Sequence, residues 1–208
     1  MEYEEIHNIS YVRDGHERQK LDLYLPAKGA TLSPLIVYIH GGAFMYGNKS
    51  TELIPKHMRD KGYAIASLDY RLSGDTTFPA AVEDCKAAVR WLRANAEKYR
   101  LDPDRVVAWG ESAGGHLAAM IGATGGIKDF DVGDHLDVSS AVQGVVDYYA
   151  PTDFSQMDDH APAGSQIHNH ANSPESKYIG GNIMEHPGKV KRANPITYIS
   201  ASTPPFFM

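Results

Sequence analysis

Cysteine is nearly absent from this chain of 208 residues: Cys85 stands alone. No disulfide can close within it, and cysteine usage leaves the redox compartment open. Long apolar runs are missing too. Nothing approaches the roughly 20 residues of a membrane-spanning helix. The first ten residues, MEYEEIHNIS, are acidic and lack the basic-then-apolar order of a signal peptide. The compartment therefore reads as cytoplasmic, with a secreted protein trimmed of its leader as the other reading. Positive charge is in deficit, 20 Lys and Arg against 26 Asp and Glu, net −6. With no basic patch, nucleic-acid binding has no electrostatic support. Internal repeats and dividing linkers are also lacking, and the length suits one domain, residues 1–208, with a sizeable core.

The remaining pattern alternates strands with helices. Ile6–Val12 and Leu21–Leu25 read as a hairpin, the second strand placing Leu21, Leu23 and Leu25 on one face and Asp22 and Tyr24 on the other. Leu35–Ile39 (LIVYI) is a continuous apolar run, as in a strand buried on both faces, and Tyr63–Leu68 (YAIASL) reads as another buried strand. A helix is predicted near Glu52–Lys61, and a longer one from Pro79 to about Tyr99, with Ala80, Val82, Ala87, Ala88, Trp91 and Leu92 on or near one face. Arg105–Trp109 reads as a strand, Ser112 to about Ala123 as a helix, and Val142–Tyr149 as a strand. The fold class is α/β: a mostly parallel, doubly wound sheet with an N-terminal antiparallel hairpin. A polar insertion, about 153–191, is expected over the face that carries the site.

Two motifs carry chemistry. Gly110-Glu111-Ser112-Ala113-Gly114 fits the G-x-S-x-G nucleophile elbow, with a strand before it and a small-residue helix after it. The glycines permit a sharp strand-to-helix turn, and Ser112 falls at a helix N-terminus, which favours negative charge. The bland alternative is a tight turn with an incidental serine. His40-Gly41-Gly42-Ala43-Phe44 follows the LIVYI strand directly. Its glycines allow close approach of backbone N–H groups to an oxyanion. Gly41, Gly42 and Ala113 are the expected oxyanion-hole donors, and His40, Phe44, Tyr46 and Glu111 are expected around the pocket.

Together these segments resemble the α/β-hydrolase superfamily, in its hormone-sensitive-lipase-like and feruloyl/acetylxylan-esterase-like branch. The resemblance also rests on SLDYRLS (67–73), FPAAVEDCKAAVRWLRANA (78–96), LDPDRVVAWGESAGGHLAA (101–119), YYAPTDF (148–154), SPESKYIGG (173–181) and ANPITYIS (193–200). It implies an esterase acting on short acyl esters without a cofactor, Ser112 being the nucleophile. It also implies that a triad acid and histidine follow the serine. In the family these lie beyond a TPPF-like stretch, and this chain reaches TPPFFM at its end. The expectation is that the strands carrying both are missing, leaving an open sheet edge that invites self-association or strand exchange.

Six histidines follow Ser112: His116, His135, His160, His168, His170 and His186. His116 lies on the helix leaving the elbow. His160, His168 and His170 fall in the insertion, where surface polarity is the simpler role. The His168/His170 pair lacks further metal-ligand spacing, so no metal is expected. Asp147 and Asp153 are substitute acids or turn caps. The aspartates at 129, 131, 134 and 137 resemble a calcium loop only loosely and read as a solvated loop. A small-molecule ester is the expected partner. The competing readings are a catalytically dead hydrolase fold that binds ligands or partners, and a peptidase on the same scaffold.

Overall fold

The computed structural model describes residues 3–27, 29 and 31–208. Seven strands form one mixed sheet: β1 (Glu4–Ser10), β2 (Lys20–Leu25), β3 (Ser33–Ile39), β4 (Ala64–Leu68), β5 (Leu101–Glu111), β6 (Gly144–Tyr148) and β7 (Phe206–Phe207). Their spatial order is β1-β2-β4-β3-β5-β6-β7. The β1–β2 and β2–β4 pairings are antiparallel and the rest parallel. This is the expected α/β arrangement with its N-terminal hairpin.

Both long helices, α1 (Ala80–Ala94) and α3 (Ala113–Ala123), pack on the sheet face built from Leu21, Leu23, Val37, Ala66, Ala108 and Val145. The opposite face carries Tyr24, Ile36, Tyr38 and Ile65, with Ile54 and Met58 packed over them. The predicted helix at Glu52–Lys61 is instead a 3-10 turn over Lys56–Lys61. None of its six residues is buried, so it has no apolar stripe to hold a full α-helix in place. The helix expected to run to Tyr99 breaks at Asn95, whose side-chain amide donates back to the Trp91 carbonyl at 2.8 Å, and a short α2 (Ala96–Tyr99) follows. Two further helices, α4 (Pro174–Ile179) and α5 (Pro187–Ala193), lie in the insertion.

Alternation on β2 misleads, because its second face is also covered. Asp22 is buried, with Lys49 Nζ 2.9 Å from its Oδ1 and the Asn8 amide donating to the same oxygen at 2.8 Å. Burial pushes its carboxyl up, but these donors and His7 hold it below the usual carboxylate range.

The loop after α3 is not solvated at Asp131. That carboxylate is buried against Arg90 Nη1 (2.9 Å), Lys86 Nζ (3.2 Å) and Lys128 Nζ (3.2 Å). Lys86 and Arg90 are fully buried on α1. Asp131 is thus an internal counter-ion rather than a calcium ligand, and among the described residues no group of three or more His, Cys, Asp or Glu is placed to hold a metal ion. Removing one partner of a buried ion pair costs about 3–5 kcal/mol. Asp131→Asn, which leaves two buried cations without an anion, is expected to lower stability by about 3 kcal/mol, read as a shifted urea midpoint. A midpoint equal to that of the unsubstituted chain would contradict this placement of charge. Among the described residues no helix is long and apolar enough to cross a membrane.

Candidate active site

The interior strand β5 ends at Glu111, and α3 begins one residue after Ser112. Between them Ser112 takes φ 52° and ψ −122°. A non-glycine residue at positive φ stores backbone strain, and such strain clusters at functional sites. The turn is held from both sides: the Ser112 amide donates to the Tyr148 carbonyl of β6 at 2.9 Å, and the His116 amide donates to the Ser112 carbonyl at 2.9 Å. The flanking glycines are dictated by contact. A Cβ on Gly110 would lie 2.3 Å from the Gly114 backbone. One on Gly114 would lie 2.0 Å from the Ile39 carbonyl oxygen. The Ala113 amide is in the first turn of α3, where N–H groups have no partner within the helix.

The loop after β3 lies against this turn. A Cβ built on Gly41 would stand 3.5 Å from Ser112 Cβ and 2.9 Å from the Glu111 carbonyl oxygen. Here the expected assignment needs correcting. The Gly41 amide is not free, because it donates to Glu111 Oε1 at 2.8 Å. The other carboxylate oxygen, Oε2, accepts from the Tyr38 hydroxyl at 2.8 Å. The next three residues all take positive φ: Gly42 at 115°, Ala43 at 54° and Phe44 at 59°. The Gly42, Ala43 and Phe44 amides make no hydrogen bond among the described residues, whereas those of Met45 and Tyr46 both donate to the Gly42 carbonyl.

His40 and Phe44 do not line an open pocket. His40 is buried, with Nδ1 donating to the Gly41 carbonyl at 2.6 Å. Its ring stacks on Tyr70 at 4.4 Å, and the Tyr70 hydroxyl donates to the His40 carbonyl at 2.9 Å. Burial drives its pKa down to about 4, so the ring is neutral near pH 7 and props the loop from behind. The positive φ at Phe44 turns that ring inward, where it stacks on Tyr178 of α4 at 4.1 Å. Phe154 and His116 meet it edge-on at 6.1 and 5.3 Å. Tyr46 is exposed.

The histidines and acids fall into other bonds. His116 is buried, its ring stacked on Phe154 at 4.7 Å and its Nδ1 2.7 Å from the Pro151 carbonyl oxygen. Burial lowers its pKa to about 4 as well. His168 Nδ1 is 2.8 Å from Glu175 Oε2. Among the described residues no histidine makes a hydrogen bond with Ser112 Oγ. Asp147 accepts the Ala150 amide at 3.2 Å, and burial raises its pKa. Asp153 is partly shielded, yet donors from Ser155, Gln156 and Asn194 pull its pKa below the carboxylate range. It caps the 3-10 turn Phe154–Gln156. Both acids therefore bond locally, Asp147 from the end of β6 and Asp153 from the loop past it. Tyr38 and Ala43, absent from the expected set, lie in the same cluster, Tyr38 bonded to Glu111 and Ala43 in the loop at positive φ. Their signal was position only, two residues before His40 and one after the second glycine.

Comparison with known proteins places this geometry. The family model BD-FAE matches residues 21–208. The chain belongs to the BD-FAE family, a hormone-sensitive-lipase-like α/β-hydrolase family. This BD-FAE chain is 30% identical over 178 residues to "Esterase LipQ" of Mycobacterium tuberculosis, a match covering 85% of the chain and 41% of LipQ. It thus spans about two fifths of that relative's length. Among solved structures, a bifunctional GH43-CE protein of Bacteroides eggerthii superposes with a TM-score of 0.88 at 36% identity, covering 97% of this chain and 30% of that one. A truncated carbohydrate esterase from gut microbiota superposes at 0.87 with 32% identity, covering 98% and 75%. The BD-FAE fold thus accounts for the sheet order and the hairpin, as the sequence resemblance implied.

Proposed function

We propose that Ser112 is the nucleophile of a serine carboxylesterase that hydrolyses short acyl esters. One observation carries the reading: a strained serine at a helix N-terminus lies against a loop whose Gly42, Ala43 and Phe44 amides have no partner among the described residues, Gly42 and Ala43 following directly on the Gly41 that abuts Ser112. Ser112 Oγ attacks the ester carbonyl carbon. The oxygen that becomes negative is held by the amides of Gly42, Ala43 and Ala113, so the donors in the loop lie one residue later than the glycine pair expected from sequence. Such preorganised donors, in a site shielded from water, are worth about a hundred- to a thousandfold in rate each. The scheme also needs a histidine base, which none of the histidines placed above supplies in contact with Ser112: it would take the Oγ proton and return it to the departing alcohol, leaving an acyl-enzyme that water cleaves. The scheme calls for no cofactor. The esterase relatives and carbohydrate-esterase neighbours support ester bonds as the substrate class.

We take residues 1–208 as one domain and the insertion, about 153–191, as the cover of the site face. Phe154 and Tyr178 fasten it to Phe44, directly beside the oxyanion loop. A cover held this close suits short acyl chains. Acetyl and butyryl nitrophenyl esters are therefore expected to turn over at least about tenfold faster than the decanoyl ester, judged by kcat/KM against a Ser112→Ala control. A preference for the decanoyl ester would remove this part of the reading. The second reading, a hydrolase fold that binds ligands without turnover, is favoured by the lack of a histidine hydrogen-bonded to Ser112 among the described residues. It predicts tight ester binding with no Ser112-dependent hydrolysis.

A further inference from the structure

We propose that Glu111 is a positioning residue: braced by the Tyr38 hydroxyl, its carboxylate grips the Gly41 amide and so aims the Gly42 and Ala43 amides at the oxyanion. The proposal rests on the reading of Ser112 as nucleophile.

A carboxylate next to the reacting serine is at first sight misplaced. Negative charge develops on the substrate oxygen during attack, and an anion beside it works against catalysis. The geometry resolves the conflict. Both oxygens of Glu111 are committed, Oε1 to the Gly41 amide and Oε2 to the Tyr38 hydroxyl, each at 2.8 Å. Its charge is met by two donors rather than presented to the site. Tyr38 is buried, and burial together with the Glu111 contact pushes its phenol well above the ordinary value. The hydroxyl therefore keeps its proton, and remains a donor, throughout any working pH.

The loop also needs a grip. Gly42, Ala43 and Phe44 take positive φ in succession, a backbone path that persists only when its surroundings fix it. Several anchors are on the structure, among them a pair of bonds from Ser73 to the Phe44 carbonyl. His40 is tied from behind by Tyr70, Phe44 is clamped by Tyr178, and Gly41 is held by Glu111. Of these only Glu111 reaches the loop from the strand that leads to the serine. It therefore sets the distance between nucleophile and amides directly, in a step where a shift of about 1 Å can cost a hundredfold. Glu111 pairs with Tyr148 on β6, so its own backbone is fixed by the sheet.

The test compares Glu111→Ala and Glu111→Gln in the full chain. Glutamine can keep both contacts: its carbonyl oxygen accepts from Gly41, and its amide donates to the Tyr38 oxygen once that hydroxyl rotates. Glu111→Ala is expected to lower kcat for nitrophenyl acetate by about ten- to a hundredfold with KM within about threefold. Glu111→Gln is expected to stay within about fivefold of the parent. A second readout is independent of turnover. Amide hydrogen exchange over residues 40–46 should quicken at least about tenfold in Glu111→Ala and not in Glu111→Gln. A normal kcat in Glu111→Ala, unchanged exchange in that variant, or a Glu111→Gln enzyme as impaired as Glu111→Ala would each overturn the proposal. If the parent shows no Ser112-dependent hydrolysis, the esterase reading fails instead, and the exchange measurement alone decides whether Glu111 grips the loop.

Discussion

Ser112→Ala is expected to abolish covalent labelling by a fluorophosphonate and to lower ester hydrolysis by about ten-thousandfold or more. The size follows from how nucleophile, base and oxyanion donors work as a unit: removing the attacking atom forfeits nearly the whole covalent route, and only binding and the oxyanion amides remain. The backbone should tolerate the change, since alanine keeps the Cβ and the turn at residue 112 is held by main-chain bonds to Tyr148 and from His116. The parent and variant should therefore unfold at the same urea midpoint while differing in labelling. Labelling that persists in Ser112→Ala would place the reactive group elsewhere. Loss of labelling together with loss of folding would be uninformative in many enzymes, but the unchanged midpoint predicted here separates the two.

The second large effect is structural. Gly114→Ala adds one methyl group and is expected to cost upwards of about 3 kcal/mol, near the top of the range for overpacking. The added carbon would sit 2.0 Å from the Ile39 carbonyl oxygen, 2.6 Å from that of His40 and 2.7 Å from the His40 carbonyl carbon. All three are backbone atoms at the end of β3, so no side-chain tip can swing aside. Relief requires α3 to lift off the strand, which would also carry Ser112 away from the Gly42 and Ala43 amides. Gly126→Ala is the matched control, because a Cβ there meets nothing within 4 Å. The check is soluble yield and denaturant midpoint for both variants. A Gly114→Ala chain as stable as Gly126→Ala would mean that the close packing of α3 on β3 is wrong.

Much of this was legible in the sequence because sterics wrote it there. Residues 35–39 and 64–68 are almost wholly apolar, Ser67 excepted, since both faces of β3 and β4 are covered. The glycines at 110 and 114 mark the elbow, since any Cβ would strike the turn. What sequence could not convey was set by partners distant along the chain. The free amides begin at Gly42 rather than Gly41 because a side chain 70 residues away claims the first one. Phe44 and His40 turn inward because of local φ values and the rings of Tyr178 and Tyr70, none of which leaves a periodic trace. Asp131 looked solvated in a run of aspartates, and only the placement of Lys86 and Arg90 on α1 makes it an internal ion. The Lys56–Lys61 segment has helix-forming residues but no buried face, so propensity lost to the lack of packing.

The rings of Phe44, His116, Phe154 and Tyr178 come from the oxyanion loop, the helix after the elbow, and two points of the insertion. That arrangement sets a rule for engineering. Grafting a foreign insertion to change substrate preference would transplant two of four interlocking pieces into a socket shaped by the other two. Chimeras that carry residues 153–191 from a relative should fold only when the positions of Phe154 and Tyr178 bring aromatic rings of matching size with them. Variation confined to the exposed stretch 159–167 between those two anchors would be free to drift.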